Sequence, residues 1–363
     1  MDLKIEKLKL SNFRNYDSFL LEDVGTLTVF IGDNGVGKTN ILEGINLLTS
    51  CETLRHAQIN QLVKENCTAA RLEAFFTDGN RSIDITLDLE PGKKKYQVNG
   101  KAKSITDVKG TLPAVSFTPD DLELAKKSSS VKRNALDALG MQLSKSYHVV
   151  YRDFEKALRY KNRLLKEEAA PTLVESINDT LVICASQLYC YRVSLFKRII
   201  PLLENNYREI SRSDESLTAT YTPSWTGAPS EEADVVRDDV REDLQRALNE
   251  RMDEEYTRRK SVVGPHTDVI TFNLANKDAS HFASQGQQRS IVLAWKLAEV
   301  ELVKQTLGTT PVLLLDDVMS ELDGSRRDKL VDFVTDDMQT FITATDLSGF
   351  NENLLERARV IRL

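Results

Sequence analysis

The chain has 363 residues, of which 41% are hydrophobic and 28% are charged, the composition of an ordinary soluble protein with roughly two or three domains. No stretch of about 18 consecutive apolar residues occurs, which argues against a transmembrane helix, and the first residues lack the apolar core of a signal peptide. We therefore expect a cytoplasmic protein without a membrane partner. Because the net charge is −7, any surface that binds nucleic acid has to be a local basic patch.

The first predicted elements are two short strands. Hydrophobic residues between positions 3 and 10 indicate one strand and residues 19–21 a second, with a turn at residues 12–16 between them. Arg14 lies in this turn. An arginine there could reach the phosphates of a bound nucleotide or could be a solvated side chain, and its spacing does not decide between the two.

A phosphate-binding loop is predicted at residues 32–39, which match the pattern G-x-x-x-x-G-K-[ST]. An apolar run at residues 27–31 predicts a strand before the loop, and apolar residues at helical spacing follow it. Glycines let backbone N–H groups face phosphate oxygens at a helix N-terminus, while Lys38 adds positive charge near the β- and γ-phosphates and the Thr39 hydroxyl is a ligand for Mg²⁺. The predicted nucleotide-binding residues are Gly32, Asp33, Asn34, Gly35, Val36, Gly37, Lys38, Thr39 and Asn40. The flanking strand and helix weigh against the alternative, a glycine turn that binds nothing.

The middle of the chain changes pattern twice. Residues 72–76, 82–89 and 95–98 predict an antiparallel sheet, and residues 112–117 a further strand. From residue 119 to about residue 260 the pattern is mostly helical. It includes two long helices separated by Pro171, which we expect to form a hairpin, a short strand near residues 217–221, and an acidic helix at Glu231–Glu255.

The first long helix of this region is rich in basic side chains. They are Arg152, Lys156, Arg159, Lys161, Arg163 and Lys166. These residues are a candidate DNA-facing surface, and an ordinary solvated helix face is an equally good interpretation.

Two further motifs lie toward the end of the chain. Residues 284–289 read Ser-Gln-Gly-Gln-Gln-Arg before an apolar helix, and residues 311–315 form an apolar strand that ends in Asp316 and Asp317. In a phosphate-loop protein an aspartate at this strand end supports Mg²⁺. Asp316 is the predicted metal ligand, acting through water, and Asp317 the predicted catalytic residue, which orients or deprotonates the attacking water. A strand capped by acidic residues of no chemical role is the alternative, and a strand at residues 340–345 should end on the same edge.

This ordered set of motifs resembles the RecF family of bacterial recombination ATPases. The matching segments are residues 12–16, 32–39, 117–122, 264–266, 284–289, 315–323 and 343–345. The resemblance covers essentially the whole chain and implies an α/β fold, an ABC-type P-loop ATPase head assembled from both chain ends with an inserted, mainly helical arm. The implied domains are a first head segment at 1–118, the arm at 119–260 and a second head segment at 261–363.

The resemblance also implies a nucleotide site that two copies of the chain complete. Its ligands are ATP and Mg²⁺, with Thr39 and Asp316 holding the metal, Arg14 contacting phosphate, and Lys38 and Asp317 in catalytic roles. Ser284, acting in trans as a catalytic residue, and Gly286 of a second copy would contact the γ-phosphate. ATP would then hold a homodimer together on DNA, and weak, DNA-stimulated hydrolysis would release it.

The implied partners are double-stranded, gapped or junction DNA and RecR- and RecO-like mediators that load a RecA-like recombinase in repair and at replication forks. The chain departs from the family pattern at Thr267, because an arginine is common after Gly-Pro-His. Another P-loop ATPase, either a transporter motor or a small-molecule kinase, is the alternative. The inserted arm argues against a motor, and no motif indicates the acceptor pocket of a kinase. A structural clamp without ATP turnover is a third possibility.

Overall fold

The computed structural model describes residues 3–55, 57–211, 215–226, 236–335, 337–350 and 352–363. Its strands are β1 (Lys4–Phe13), β2 (Tyr16–Leu21), β3 (Leu27–Ile31), β4 (Ala70–Thr77), β5 (Ser82–Glu90), β6 (Lys93–Val98), β7 (Lys101–Lys103), β8 (Ala114–Phe117), β9 (Leu217–Thr222), β10 (Val269–Leu274), β11 (Lys277–Asp278), β12 (Val312–Asp316), β13 (Thr340–Ala344) and β14 (Ala358–Arg362). Its helices are α1 (Lys38–Thr49), α2 (Ile59–Leu62), α3 (Ile105–Val108), α4 (Ser129–Leu143), α5 (Lys145–Lys166), α6 (Pro171–Ser211), α7 (Arg237–Glu250), α8 (Met252–Arg258), α9 (Ala279–Phe282), α10 (Gln285–Leu307), α11 (Val318–Glu321), α12 (Gly324–Phe333) and α13 (Glu352–Arg357). Two 3₁₀ turns lie at Pro119–Leu124 and Pro265–Thr267.

Packing divides the chain into two compact units, Met1–Leu122 with Val292–Leu363, and Glu123–Ile291. The second boundary falls within α10, whereas the sequence places the end of the arm at residue 260. The strand pairing explains the position of this boundary, because β10 pairs with β9 in one three-stranded sheet, with the order β11-β10-β9. The predicted domains at 1–118, 119–260 and 261–363 stay a prediction.

A parallel sheet forms the centre of the first unit. Its strand order is β14-β3-β13-β12-β8, and every neighbouring pair is parallel. All residues of β3, β12 and β13 are buried, as expected for parallel strands that are covered on both faces. The α/β fold that the family resemblance implies is therefore confirmed. Strands from the N-terminal and C-terminal parts of the chain meet in this sheet, since β3 pairs with both β13 and β14. The parallel order places the C-terminal ends of β3, β12 and β13 on one edge.

The second sheet of this unit is antiparallel, with the order β2-β1-β4-β5-β6-β7. Buried residues alternate along β4 and β5, which matches the period of two seen in the sequence. Helix α1 contacts β4 and β5 of this sheet and β12 and β13 of the parallel one. Gly44 permits this packing, because a Cβ atom at this position would lie 2.9 Å from a methyl carbon of Leu10. The helix after the loop is thus held between the two sheets.

The second unit is mostly helical, as predicted. The two long helices α5 and α6 are adjacent and pack against each other, and α6 begins at Pro171, a residue suited to the first helical position. Residues 231–235 of the predicted acidic helix lie outside the described residues, and the remainder forms α7 and α8. No helix in the described part of either unit is long and apolar enough to span a membrane.

One basic residue of the candidate DNA-facing surface of α5, Lys161, does not lie on the surface, so this part of the prediction is wrong. The Lys161 side chain is fully buried, and its Nζ lies 2.6 Å from a carboxylate oxygen of Glu255, whose side chain is 1% exposed. Lys161 therefore cannot contact DNA from the surface of α5. Helical spacing alone could not reveal this, because the partner carboxylate comes from α8, far along the chain.

The ion pair gives a prediction for stability. Lys161→Met leaves a buried carboxylate without a partner and should lower the free energy of unfolding by about 3 kcal/mol. Adding Glu255→Gln should recover most of this loss, because it removes the unpaired charge and keeps the side-chain oxygen that accepts hydrogen bonds from the Ser261 hydroxyl and the Val262 N–H. Urea unfolding followed by circular dichroism measures both changes. The control is Arg159→Met at an exposed position of α5, which should change the free energy of unfolding by less than about 0.5 kcal/mol. Equal losses for Lys161→Met and Arg159→Met would contradict this account.

Candidate nucleotide site

The phosphate-binding loop connects β3 to α1 in the conformation that its glycines allow. Gly37 immediately precedes the helix with φ 118°, and Gly35 has φ 88°. These angles favour glycine, which has no Cβ atom to clash with the backbone. At Gly37 there is a second reason, because a Cβ atom would lie 2.6 Å from Asn15 Nδ2 and 2.7 Å from the Tyr16 hydroxyl.

The loop presents positive charge and backbone donors together. Lys38 Nζ donates to the carbonyl oxygens of Gly32 at 2.5 Å and Asp33 at 3.0 Å, so the ammonium group spans the loop. The first N–H groups of α1 have no intrahelical acceptors, and the helix N-terminus attracts anions. This arrangement fits phosphate oxygens.

The carboxylate of Asp316 joins three elements at the edge of the parallel sheet. Its Oδ1 accepts hydrogen bonds from Thr39 Oγ1 at 2.7 Å and from Thr343 Oγ1 at 2.8 Å. Thr39 lies in the first turn of α1, Asp316 ends β12, and Thr343 lies on β13. The structure therefore brings together the threonine and the aspartate that the sequence assigns to the metal.

Asp317 follows directly in a different conformation. Its φ of 53° lies in the left-handed region, and its N–H donates to Thr343 Oγ1 at 2.9 Å. Its Oδ1 is buried without a hydrogen-bond partner among the described residues. Burial raises the pKa of this carboxyl above its ordinary value, the Ser320 hydroxyl and Lys38 oppose the rise, and Asp316 and Glu321 add to it. A carboxylate with an unused oxygen and a raised pKa has the chemistry of a proton acceptor.

The turn between β1 and β2 reaches the loop through two neighbouring residues. Asn15 Nδ2 donates to the Val36 carbonyl at 2.9 Å, and Asn15 Oδ1 accepts from Asn40 Nδ2 at 2.8 Å. Arg14 Nε donates to Glu43 of α1 at 2.6 Å. Arg14 therefore lies beside the helix that begins at the loop and is not an unpaired turn residue.

Three residues of this site were not predicted from the sequence. Thr343 and Asn15 lie in the segments 343–345 and 12–16, which match the family pattern, but neither residue was assigned a role. Their polar side chains, at a predicted strand end and in a predicted turn, were the signal that could have identified them. Arg55 carried no such signal, and its guanidinium lies 4.0 Å from Asp316 Oδ2. It adds positive charge on the side of the carboxylate that the threonines leave open.

A magnesium ion fits the donor set of this edge. No group of three or more His, Cys, Asp or Glu side chains suited to a metal occurs among the described residues. Mg²⁺ is usually held by one or two protein oxygens, with water and phosphate supplying the rest. The Thr39 hydroxyl and the Asp316 carboxylate are such a pair.

Ser284 and Gly286 belong to the other packing unit. The hydroxyl of the exposed Ser284 accepts from Gln287 N–H at 3.2 Å, and the Gln287 side chain accepts from Ser284 N–H at 2.8 Å. This reciprocal pair caps the N-terminus of α10. The motif thus starts α10 with a capped first turn at the exposed Ser284.

Comparison with known proteins identifies the family of the chain. The family described as the RecF/RecN/SMC N-terminal domain matches residues 4–361. The DNA replication and repair protein RecF of Halalkalibacterium halodurans is 33% identical over 363 residues, which cover 99% of this chain and 97% of the relative. This chain belongs to the RecF family. RecF of Thermosynechococcus vestitus is 34% identical over 366 residues, covering 99% of this chain and 95% of that protein.

Solved structures extend the likeness to three dimensions. A structure of the recombination mediator protein RecF with ATP, from the RecFOR pathway, shares 28% identity and a TM-score of 0.88, covering 96% of this chain and 94% of that one. An Smc head domain from Pyrococcus furiosus has a TM-score of 0.53 at 14% identity, covering 99% of this chain and 93% of that one, and shows the shared fold. The ABC-type ATPase fold predicted from the motifs is confirmed.

The two left-handed glycines of the loop give a matched test. Gly37→Ala should lower the melting temperature more than Gly35→Ala does. The difference between the two variants should correspond to about 2 kcal/mol in the free energy of unfolding. Both substitutions strain the backbone, but only the new methyl group at position 37 meets Asn15 and Tyr16, whereas position 35 has no atom within 4 Å. Thermal unfolding without nucleotide measures the difference, and equal losses would show that Asn15 and Tyr16 do not constrain the loop.

Proposed function

We propose that this chain is an ATP-dependent DNA-binding ATPase of recombinational repair and replication-fork maintenance. The observation that carries the proposal is the Asp316 carboxylate, which accepts hydrogen bonds from Thr39 after the loop and Thr343 on β13. It joins a phosphate-binding loop to an acidic strand end, the combination that ATP-hydrolysing P-loop proteins use. Membership of the RecF family supports the role in DNA repair.

Each residue of the site has a distinct task in this proposal. Lys38 and the N–H groups of residues 32–40 bind the phosphates, and Arg14 adds a phosphate contact from the neighbouring turn. Thr39 and Asp316 hold Mg²⁺, which would neutralise charge on the phosphate oxygens. Asp317 orients the attacking water and accepts its proton.

A second copy of the chain completes the site. Ser284 is exposed at the capped start of α10, and Gly286 lies in the first turn of this helix. A helix start stabilises negative charge on a phosphate. In the proposed ATP-dependent homodimer this motif of one copy faces the loop of the other. The γ-phosphate then links the two copies, so hydrolysis releases them.

The proposed partners follow from the relatives. Solved relatives are described as recombination mediators of the RecFOR pathway, so we extend to this chain binding of double-stranded, gapped or junction DNA and cooperation with RecR- and RecO-like mediators in loading a RecA-like recombinase. The activity belongs in the cytoplasm, with the mainly helical insertion as the arm of an ATPase head. Turnover is weak and stimulated by DNA, because ATP acts as a switch.

The proposed dimer is tested by substitutions at Ser284, in the motif at residues 284–289. Wild-type protein should sediment as a dimer with ATP and double-stranded DNA, while Ser284→Arg should stay monomeric and lose at least about tenfold in ATP turnover. Ser284→Ala loses the same helix cap, about 1 kcal/mol, without adding bulk, and should dimerise better than Ser284→Arg. An ATP-independent oligomeric state, with no response to DNA, would refute the proposal, and phosphate transfer to a small metabolite would favour a kinase.

Asp317 gives a test based on pH. Asp317→Asn should retain ATP-induced dimers but lose about 100-fold or more in turnover, because an amide cannot accept the proton. In the wild type kcat/KM should fall on acidification as Asp317 becomes protonated. Burial raises the pKa of this carboxyl, so the fall should begin at a higher pH than for an exposed aspartate. Assays of phosphate release over a range of pH measure the turnover of the variant and the pH dependence of kcat/KM in the wild type. Unchanged turnover in the variant would show that Asp317 does not have this role.

A further inference from the structure

A cavity within the unit Glu123–Ile291 has a strongly basic lining. Its volume is about 450 Å³, which is within the range of small-molecule sites. Its lining includes Asn162, Arg251, Arg258, Lys260, Ser261 and Thr267. No carboxylate is among the described residues that line it, although the chain as a whole is acidic.

The cations at this cavity are only partly neutralised. Glu254 pairs with two of them, since one carboxylate oxygen lies 2.8 Å from Arg251 Nε and the other lies 3.0 Å from an outer nitrogen of Arg258. The other N–H groups of both guanidinium groups remain available to a ligand. Lys260 forms no ion pair with any residue that the structure describes. One carboxylate thus neutralises only part of the charge of the three positive groups.

An oriented neutral donor accompanies these cations. Asn162 Oδ1 accepts from the Ser261 N–H at 2.7 Å, which fixes the direction of the amide. Its NH₂ group has no acceptor among the described residues. Thr267, where the family commonly has an arginine, is held by hydrogen bonds to Ser224 Oγ at 2.6 Å and the Gly264 carbonyl at 2.8 Å, and its short side chain leaves the volume open.

A histidine also lines the cavity. Burial is the main reason that the pKa of His266, another lining residue, falls to about 4; the hydrogen bond to the Ser261 backbone opposes this fall, and the nearby Lys161, Arg133 and Arg192 contribute to it. His266 is therefore neutral near pH 7, and its Nε2 donates to the Ser261 carbonyl at 3.2 Å. His266 therefore adds no charge to the lining, and the charge of the cavity is set by Arg251, Arg258 and Lys260.

We propose that this cavity binds a phosphate group in its doubly charged form. Three cations and one carboxylate leave an excess of two positive charges, which matches a phosphate dianion better than a carboxylate ligand. Guanidinium groups pair with phosphate oxygens through two parallel hydrogen bonds, and both arginines have free donors. The ligand is either a free phosphate compound or the terminal phosphate of a nucleic-acid strand.

The first experiment measures binding of inorganic phosphate by calorimetry. The full chain carries Lys38→Ala, so that the nucleotide loop does not contribute. Adding Arg258→Gln and Lys260→Gln should weaken binding about tenfold or more, because charge-assisted hydrogen bonds are lost. The control adds Lys156→Gln and Arg159→Gln, which remove the same charge from exposed positions of α5, and should leave the affinity unchanged. Absence of binding, or equal losses in both pairs, would overturn the proposal.

A second variant is expected to improve binding. Glu254→Gln removes the competing carboxylate while keeping the size of the side chain. It should raise the affinity for inorganic phosphate about threefold or more. Unchanged or weaker binding would contradict the charge balance on which the site depends.

The two sources of phosphate are separated with DNA. Fluorescence anisotropy compares duplexes that differ only in a 5′-phosphate or a 5′-hydroxyl end. A preference for the phosphate that disappears with Arg258→Gln and Lys260→Gln identifies a strand end as the ligand. Equal binding of both ends, together with phosphate binding that depends on these two residues, identifies a free anion. If neither ligand depends on Arg258 and Lys260, the cavity is not a phosphate site.

Discussion

The acceptor oxygen of Asp316 is the point on which the nucleotide site depends. Thr39 and Asp316 are separated by 277 positions in the sequence, yet their side chains form a hydrogen bond in the folded chain. Thr343 uses its hydroxyl in both directions, since it donates to Asp316 and accepts from the Asp317 N–H. One threonine thus holds both the Asp316 carboxylate and the backbone of Asp317, so the proposed metal ligand and the proposed proton acceptor are positioned by the same side chain. The site consequently forms only when both ends of the chain have folded into one parallel sheet.

A second contact fixes the antiparallel sheet relative to that parallel sheet. The Gln339 side chain, just before β13, accepts from the Ile5 N–H at 2.7 Å and donates to the Ile5 carbonyl at 2.8 Å. A side-chain amide here replaces a strand neighbour and satisfies both backbone groups, which are costly to bury unpaired. Since β1 is held at this end and packs on α1 near Gly44, its far end brings Arg14 and Asn15 to the loop. The position of these two residues is therefore a property of the sheets as well as of the turn.

Features encoded locally could be predicted from the sequence, and those that depend on distant partners could not. The loop, the apolar strand before Asp316 and the alternating strands follow from short patterns, and the structure has all of them. The burial of Lys161 escaped prediction because its charge is neutralised by Glu255 on another helix. Arg55 escaped for the same reason, since only the folded chain brings it near Asp316. The pairing of β9 with β10 joins strands that lie far apart in the sequence, and helical periodicity carries no signal for such a pairing.

The turn at residues 264–267 links two features of the helical unit. Arg192 donates to both carboxylate oxygens of Asp137 at 2.8 and 2.7 Å and to the Pro265 carbonyl at 2.5 Å, so a buried ion pair between α6 and α4 also fixes this turn. Such pairs contribute little net stability because desolvation offsets their attraction, but a fixed geometry is a separate benefit. The next two residues of the turn, His266 and Thr267, line the basic cavity. A pre-formed site loses less entropy when it binds a ligand. A turn held by these hydrogen bonds at the wall of the cavity therefore favours one small, highly charged ligand over a range of ligands of different shapes.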